Sequence, residues 1–310
     1  MRHFKLFPLA ALILTLPGLS AFCALNSGAA FLKIGTGARP EAMGGAYTAL
    51  ADDVNALYYN PGGLSGLGKR EVGFTHTQWL MDTTFDFFGF AQPLKNGTLG
   101  VSAARLGSGN FEGRDENRQV TNGFTASDTA LTLGFGRMFK GFTSHGDTGF
   151  GMNVKYLESA IGSDKASTFA ADFGAVHRFD AMPLSLGVSV LNVGQGMKFL
   201  EQRDPLPLSI AVGGAYRLAG ALNIALDVRQ EPNDGGVDVG VGTEYSLVQG
   251  FALRAGYASQ AAHAATGGGS PLGGIGGGFG LKIRNYRADY TFTPFGELGN
   301  VQRLSVGARF

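Results

Sequence analysis

Charge is scarce in this 310-residue chain: 16% of its residues are Asp, Glu, Lys or Arg, against about 25% in an ordinary soluble domain. The formal net charge of +1 offers no basic field to a polyanion and argues against nucleic acid as a partner. One cysteine, Cys23, excludes a disulfide framework and every cysteine-based zinc site. Past the amino-terminal run, no stretch approaches the ~18 uninterrupted apolar residues of a membrane helix. His76, His145, His177 and His263 are scattered, without an HxxxH pair or an adjoining carboxylate cluster, so no metal and no other cofactor is implied. Asp115 and Glu116 read as a solvated loop rather than a cation site. The glycine-rich runs at 35–37 and 267–278 lack the Gly-Lys-Ser/Thr ending of a phosphate loop. Nothing marks a nucleophile, and the chain reads as non-enzymatic.

What it has in abundance is glycine, 50 residues, and phenylalanine, 24. The glycines follow no collagen-like triplet. Within strands they are expected to mark kinks or the close approach of another segment.

Arg2 and Lys5 precede an almost wholly apolar run from Leu6 to Leu16, followed by Pro17, Gly18, Ser20 and Ala21. A basic start, a short apolar centre and a small-residue exit describe a secretory signal peptide, taken as residues 1–24. The run is too short for a membrane anchor. The bulky Phe22 ahead of Cys23 does not fit lipidation.

From Glu71 onward the chain keeps a period of two. In Leu222-Asn223-Ile224-Ala225-Leu226-Asp227-Val228-Arg229 the even positions are large and apolar, and the odd ones polar, charged or tiny. Successive strand side chains point to opposite faces, so one face is oily and the other wet. The same rhythm runs through 150–156, 237–245 and 286–292. A soluble sandwich alternates too, hiding its apolar face beneath a second sheet. Two features favour a membrane barrel. The runs are about 9 to 12 residues, the length that crosses a bilayer at a tilt. Aromatics also gather near the ends of the apolar rows, as at Tyr216, Tyr245, Phe251, Tyr257, Tyr286 and Phe292, like interfacial girdles.

The expected strands are 71–80, 83–93, 97–107, 127–138, 147–158, 167–179, 183–193, 206–218, 221–231, 236–246, 250–259, 274–284, 285–294 and 301–310. That makes an all-β, antiparallel transmembrane barrel of about 14 strands over residues 71–310, an even number as in bacterial single-chain barrels. Longer outer loops are expected at 81–82, 108–126, 159–166, 194–205, 232–235, 260–273 and 295–300. The 81–82 link and a long inner turn at 139–146 fit this alternation poorly. The terminal Phe310, on one face with Leu304, Val306 and Ala308, resembles the signal read by the outer-membrane assembly machinery.

Residues 25–70 lack strand alternation. Asp52 or Asp53 is placed to cap a short helix through Tyr59, and Asn60-Pro61-Gly62-Gly63 then turns the chain. This stretch is too small for a core of its own and is expected to fold into the barrel mouth as a hatch. The run from Gly35 to Leu64 resembles the amino-terminal signature of the PorV/PorQ family within the FadL-like outer-membrane proteins. That resemblance implies a fourteen-stranded barrel with an amino-terminal hatch in the bacterial outer membrane. Such hatches often carry an Asn-Pro-Ala turn; here the third residue is Gly62. It also implies one of two roles. The first is passage or binding of hydrophobic small molecules. The second is type IX secretion, with secreted clients or secretion proteins as partners beside outer-membrane lipid. Phe85, Phe87, Phe88 and Phe90 fall on both faces of one expected strand. Tyr58, Tyr59, Phe88 and Phe90 are the candidate hydrophobic pocket, with packing against the hatch as the alternative reading.

Overall fold

A sheet whose strands are oily on one face and polar on the other has two unpaired edges unless it closes on itself. Here it closes. The computed structural model describes residues 27–109, 111–114, 118–199, 201–259, 261 and 274–310. The wall strands are β1 (Glu71–Gln78), β2 (Thr84–Leu94), β3 (Gly97–Gly107), β6 (Ala126–Thr143), β7 (Gly146–Ile161), β8 (Asp164–Phe179) and β9 (Leu184–Gly194). They continue with β12 (Ser209–Leu218), β13 (Leu222–Glu231), β14 (Gly236–Val248), β15 (Phe251–Ala258), β16 (Ile275–Ile283), β17 (Tyr286–Pro294) and β18 (Asn300–Arg309). Each pairs antiparallel with its neighbour, and β1 pairs with β18 from Glu71↔Arg309 to Gln78↔Gln302, completing a closed barrel of fourteen strands.

The expected strands agree with the wall closely. The poorly fitting turn at 139–146 resolves because β6 and β7 run on past a register shift between Phe139 and Thr143 and meet at Thr143↔Gly146. The other weak point, the 81–82 link, is a five-residue connection, 79–83, with Met81 and Asp82 at positive φ. Two hairpins were not expected: β4 (Phe111–Arg114) with β5 (Val120–Phe124), and β10 (Met197–Phe199) with β11 (Gln202–Asp204). Both sit in connections at one end of the barrel, called here the loop end. The opposite, turn end carries the tight links 95–96, 144–145, 219–221, 249–250 and 284–285. The expected signal peptide, residues 1–24, lies outside the described residues, as do Asp115, Glu116, His263 and most of the expected loop 260–273.

The apolar rows face outward. Leu133 is 55% exposed and Val212 56%, and Ile224, Leu226, Tyr245 and Leu304 share that face. Their neighbours Thr132, Ala211, Asn223, Asp227, Glu244 and Arg303 are buried toward the lumen.

Candidate functional site

Residues 27–67 pack against the inward face of the wall. This stretch forms a 3-10 turn (Ala30–Lys33), α1 (Ala38–Ala42), α2 (Ala56–Tyr59) and a second 3-10 helix (Pro61–Gly66). Tyr47, Met43, Leu57 and Leu64 are fully buried, each worth about 1.5–3 kcal/mol as area removed from water. Backbone can lie this close to the wall because many inward positions lack a side chain. A β-carbon at Gly256 of β15 would overlap the backbone of Met43 and Gly44, and one at Gly151 of β7 would overlap Pro61.

Asn60 shows the local logic. Its Oδ1 accepts the Gly62 amide at 3.0 Å, so it caps the second 3-10 helix instead of merely opening a turn. Its Nδ2 donates to the carbonyls of Thr48, at 2.8 Å, and of Ala175 on β8, at 3.1 Å. Gly62 is pressed so near that strand that a β-carbon would stand 2.8 Å from the Ala175 α-carbon, and Gly63 is packed as tightly on Ala51. The expected helix cap also differs: Asp53 Oδ1 accepts from the Asn55 amide and side chain, both at 2.9 Å, and α2 is four residues long.

Wall side chains hold the segment from several directions. Asp227 accepts the Tyr47 and Thr48 amides at 2.9 and 2.8 Å. Asn153 donates to the Leu57 carbonyl at 2.9 Å. Ser305 accepts the Ala38 amide at 2.8 Å, and Thr291 donates to the Ala38 carbonyl. An ion ladder completes the anchorage. Arg254 bridges Asp289 and Glu244, both at 2.7 Å, and Glu244 also holds Arg39 at 2.7 Å. Arg39 pairs with Asp52 and lies 3.6 Å from Asp53. Arg287 then joins Asp53 at 2.9 Å to Asp289 at 3.0 Å, while Arg309 holds Glu71 at 2.8 Å. Burial alone would raise the Asp53 carboxyl, but Arg287 and Arg39 hold it down to about 2. For Arg39 burial acts to lower the guanidinium, and Asp52, Tyr47 and Glu244 overcome it, pushing it well above its ordinary value.

Two sizeable cavities lie along the β14–β18 side of the lumen, on either side of α1. The turn-end one, about 370 Å³, is lined by the ion ladder. The loop-end one, about 460 Å³, is lined by Phe31, Ile34, Trp79, Leu80, Leu106 and Phe295, together with Glu41, Arg229 and Arg303. Arg303 is 1% exposed. Its Nη2 pairs with Glu41 at 2.9 Å and its guanidinium stands 5.4 Å from the Trp79 ring centroid. Nε and Nη1 meet no hydrogen-bond acceptor among the described residues, an expensive condition for buried donors.

The four residues of the candidate pocket do not converge. Phe88, 45% exposed, and Phe90 lie on the outer row beside Phe74 and Val72. The alternation of β2 is intact, so the inward phenylalanines are Phe85 and Phe87, packed in one cluster with Phe31 and Leu32. Tyr58 and Tyr59 meet edge to face at 4.8 Å and tie the segment to itself. Tyr58 donates to the Leu32 carbonyl at 2.7 Å, and Tyr59 to the Thr36 carbonyl at 3.0 Å. Beside them are cavities of only about 20 Å³. Trp79 and Arg303 escaped the sequence reading; an arginine between Val301 and Ser305 in the inward row of β18 was the available signal.

The fold resembles barrels of known structure. The Pseudomonas putida toluene transporter TodX superposes with a TM-score of 0.60 at 13% identity, covering 89% of this chain and 99% of that one. The Ralstonia pickettii toluene transporter TbuX gives 0.59 at 14%, covering 89% and 98%. A Pseudomonas aeruginosa FadL homologue gives 0.52 at 10%, covering 86% and 95%. At such identities the likeness concerns the fold alone. In sequence, a UPF0164 protein of Treponema pallidum (strain Nichols) is 29% identical over 220 residues, which are 64% of this chain and 50% of that relative, so the match spans half its length. Residues 26–308, nearly the whole described structure, match the family described as Uncharacterised protein family (UPF0164), and the chain belongs to that family.

Proposed function

We propose that this chain is an outer-membrane barrel that binds an apolar or amphipathic small molecule in the loop-end cavity. Residues 27–70 act as a plug whose displacement lets the molecule pass. The cavity carries the reading: about 460 Å³, mostly apolar, with one buried guanidinium that has donors to spare, the ordinary form of a small-molecule site. The exposed oily rows on the outer wall support a membrane setting, because soluble proteins rarely leave so continuous an apolar surface uncovered. Structural likeness to hydrocarbon-carrying barrels points the same way. Passage along the β14–β18 wall requires displacement of α1 and the Gly44-Gly45 turn, which part the two cavities. Phe310, 61% exposed at the turn end, is read as the assembly signal.

Trp79 is the only tryptophan in the chain, so its emission reports on this cavity alone. A brominated long-chain carboxylate is expected to quench it saturably in the detergent-folded protein, and more tightly than a neutral brominated hydrocarbon of equal length. Arg303→Met should erase that difference. Quenching that rises without saturation, as from partition into the micelle, sinks the reading. The rival role, a type IX secretion shuttle, would rest on the loop-end hairpins. Deleting 108–126 should leave Trp79 quenching intact, whereas under the rival it would abolish capture of secretion proteins.

A further inference from the structure

The turn end carries an arc of cations that neither the ion ladder nor the cavity uses. Lys69 and Arg70 precede β1, Lys95 sits in the β2–β3 turn, Arg137 and Lys140 lie in the last turn-ward stretch of β6, and Arg284 lies in the β16–β17 turn. All six are exposed, and none has an ion pair among the described residues. The acids at this rim are few. Asp180 is exposed, Asp52 is partly exposed and paired with Arg39, and Asp147 accepts the Gly141 amide at 2.9 Å. Glu71, Glu244 and Asp289 are buried and already paired. The loop end is balanced by comparison: Asp82, Asp164 and Glu201 are exposed together with Lys165, Lys198 and Arg203.

Position matters as much as sign. The cations stand at the turn-end margin of the oily rows, Arg137 within the outward row of β6 between Phe135 and Phe139. The Arg137 guanidinium lies 5.2 Å from the Phe139 ring centroid, beside the edge-to-face cluster of Phe139, Phe142 and Phe150. Leu94 adjoins Lys95, and Ile283 and Tyr286 flank Arg284. Aromatics backed by lysine and arginine are what the boundary between hydrocarbon and head groups selects. The arc extends from β16 through the β1–β18 seam to β7, eight contiguous wall strands.

We infer that this rim is a collar for anionic phospholipid head groups, whose phosphates lie against the six cations when the outer wall is in the bilayer. Attraction of an anionic surface amounts to about 1 kcal/mol per basic residue, or roughly fivefold in affinity, and is screened by salt. The test is native mass spectrometry of the full chain folded in neutral detergent, offered phosphatidylglycerol and phosphatidylcholine in equal amounts. The wild type should retain phosphatidylglycerol over phosphatidylcholine by at least about fivefold, and lose that preference at high salt. Lys95→Gln, Arg137→Gln, Lys140→Gln and Arg284→Asn combined should abolish it, while Arg105→Gln with Lys198→Gln, at the loop end, should leave it. Should the quadruple variant not fold, Lys95→Gln with Lys140→Gln alone should reduce it severalfold. Equal retention of the two lipids by the wild type, or an unchanged preference in the folded rim variant, overturns the inference.

Discussion

Replacing Arg39 by methionine is expected to loosen the segment inside the lumen while leaving the wall closed. The side chain is buried and joins the segment's own Asp52 to Glu244 on β14, through Nε at 2.7 Å and Nη2 at 3.0 Å. Removing one partner of a buried pair costs about 3–5 kcal/mol, most of it from the charge left behind. Here Glu244 keeps Arg254 at 2.7 Å and Asn223 at 2.8 Å, so the low end applies, about 3 kcal/mol. Asp52 is over one-third exposed and adds little. Three kcal/mol is roughly a 150-fold rise in the open population. Hydrogen exchange of amides 38–52 reads that population directly, and heat modifiability on gels reports whether the barrel is intact. Arg39→Lys, which keeps charge but loses the planar fork, should fall between. Glu244→Gln with Arg39→Met should cost less than the two singles added, since neither then leaves a lone charge. Unchanged exchange of 38–52 in a folded Arg39→Met barrel would show that the ladder does not hold the segment.

Other perturbations discriminate among wall, segment and rim. Gly256→Ala should speed exchange around 43–44, because a methyl there overlaps backbone that has nowhere to go, whereas Gly236→Ala, with open space around it, should be silent. Phe88→Arg, on the outer wall, should reduce insertion into lipid by about 2–4 kcal/mol without changing Trp79 quenching once the protein is folded. Asp53 is held below its ordinary carboxyl value, so it stabilises the fold above that value and loses the contribution as pH falls toward about 2. Protection of 53–59 should therefore stay flat from neutrality to about pH 4 and decline only below it. Deleting Phe310 should lower the yield of inserted barrel in cells but not refolding of purified chain.

The wall was legible because alternation survives for many residues per strand, and outward residues such as Leu226 and Val212 differ so plainly from inward Asp227 and Ala211. The hairpins β4–β5 and β10–β11 were not, since strands of three to five residues hold too few alternations to stand out from a loop. Strand β2 misled for a different reason. Its inward Phe85 and Phe87 are as oily as its outward Phe88 and Phe90, because the lumen there is packed with Phe31 and Leu32. Which pair faces inward depends on what packs inside the barrel, and that is set by residues about fifty positions away in the chain. The ion ladder was hidden by distance: Arg39 and Glu244 are 205 positions apart, and only the folded chain shows that the inward charges of β14–β18 have their complements in residues 39–53.

The seam between β1 and β18 sets a timetable for biogenesis. It joins residues 238 positions apart, Glu71 and Arg309, a closure of very high contact order and hence slow. Residues 27–70 are tethered immediately ahead of that seam. Arg309, the last wall residue to pair, holds both Glu71 of β1 and the Asp52 carbonyl at 2.8 Å, so closing the seam and seating that segment share one side chain. A chain whose seam stays open lacks both contacts at once, so closure of the cylinder and capture of the segment inside it are linked events.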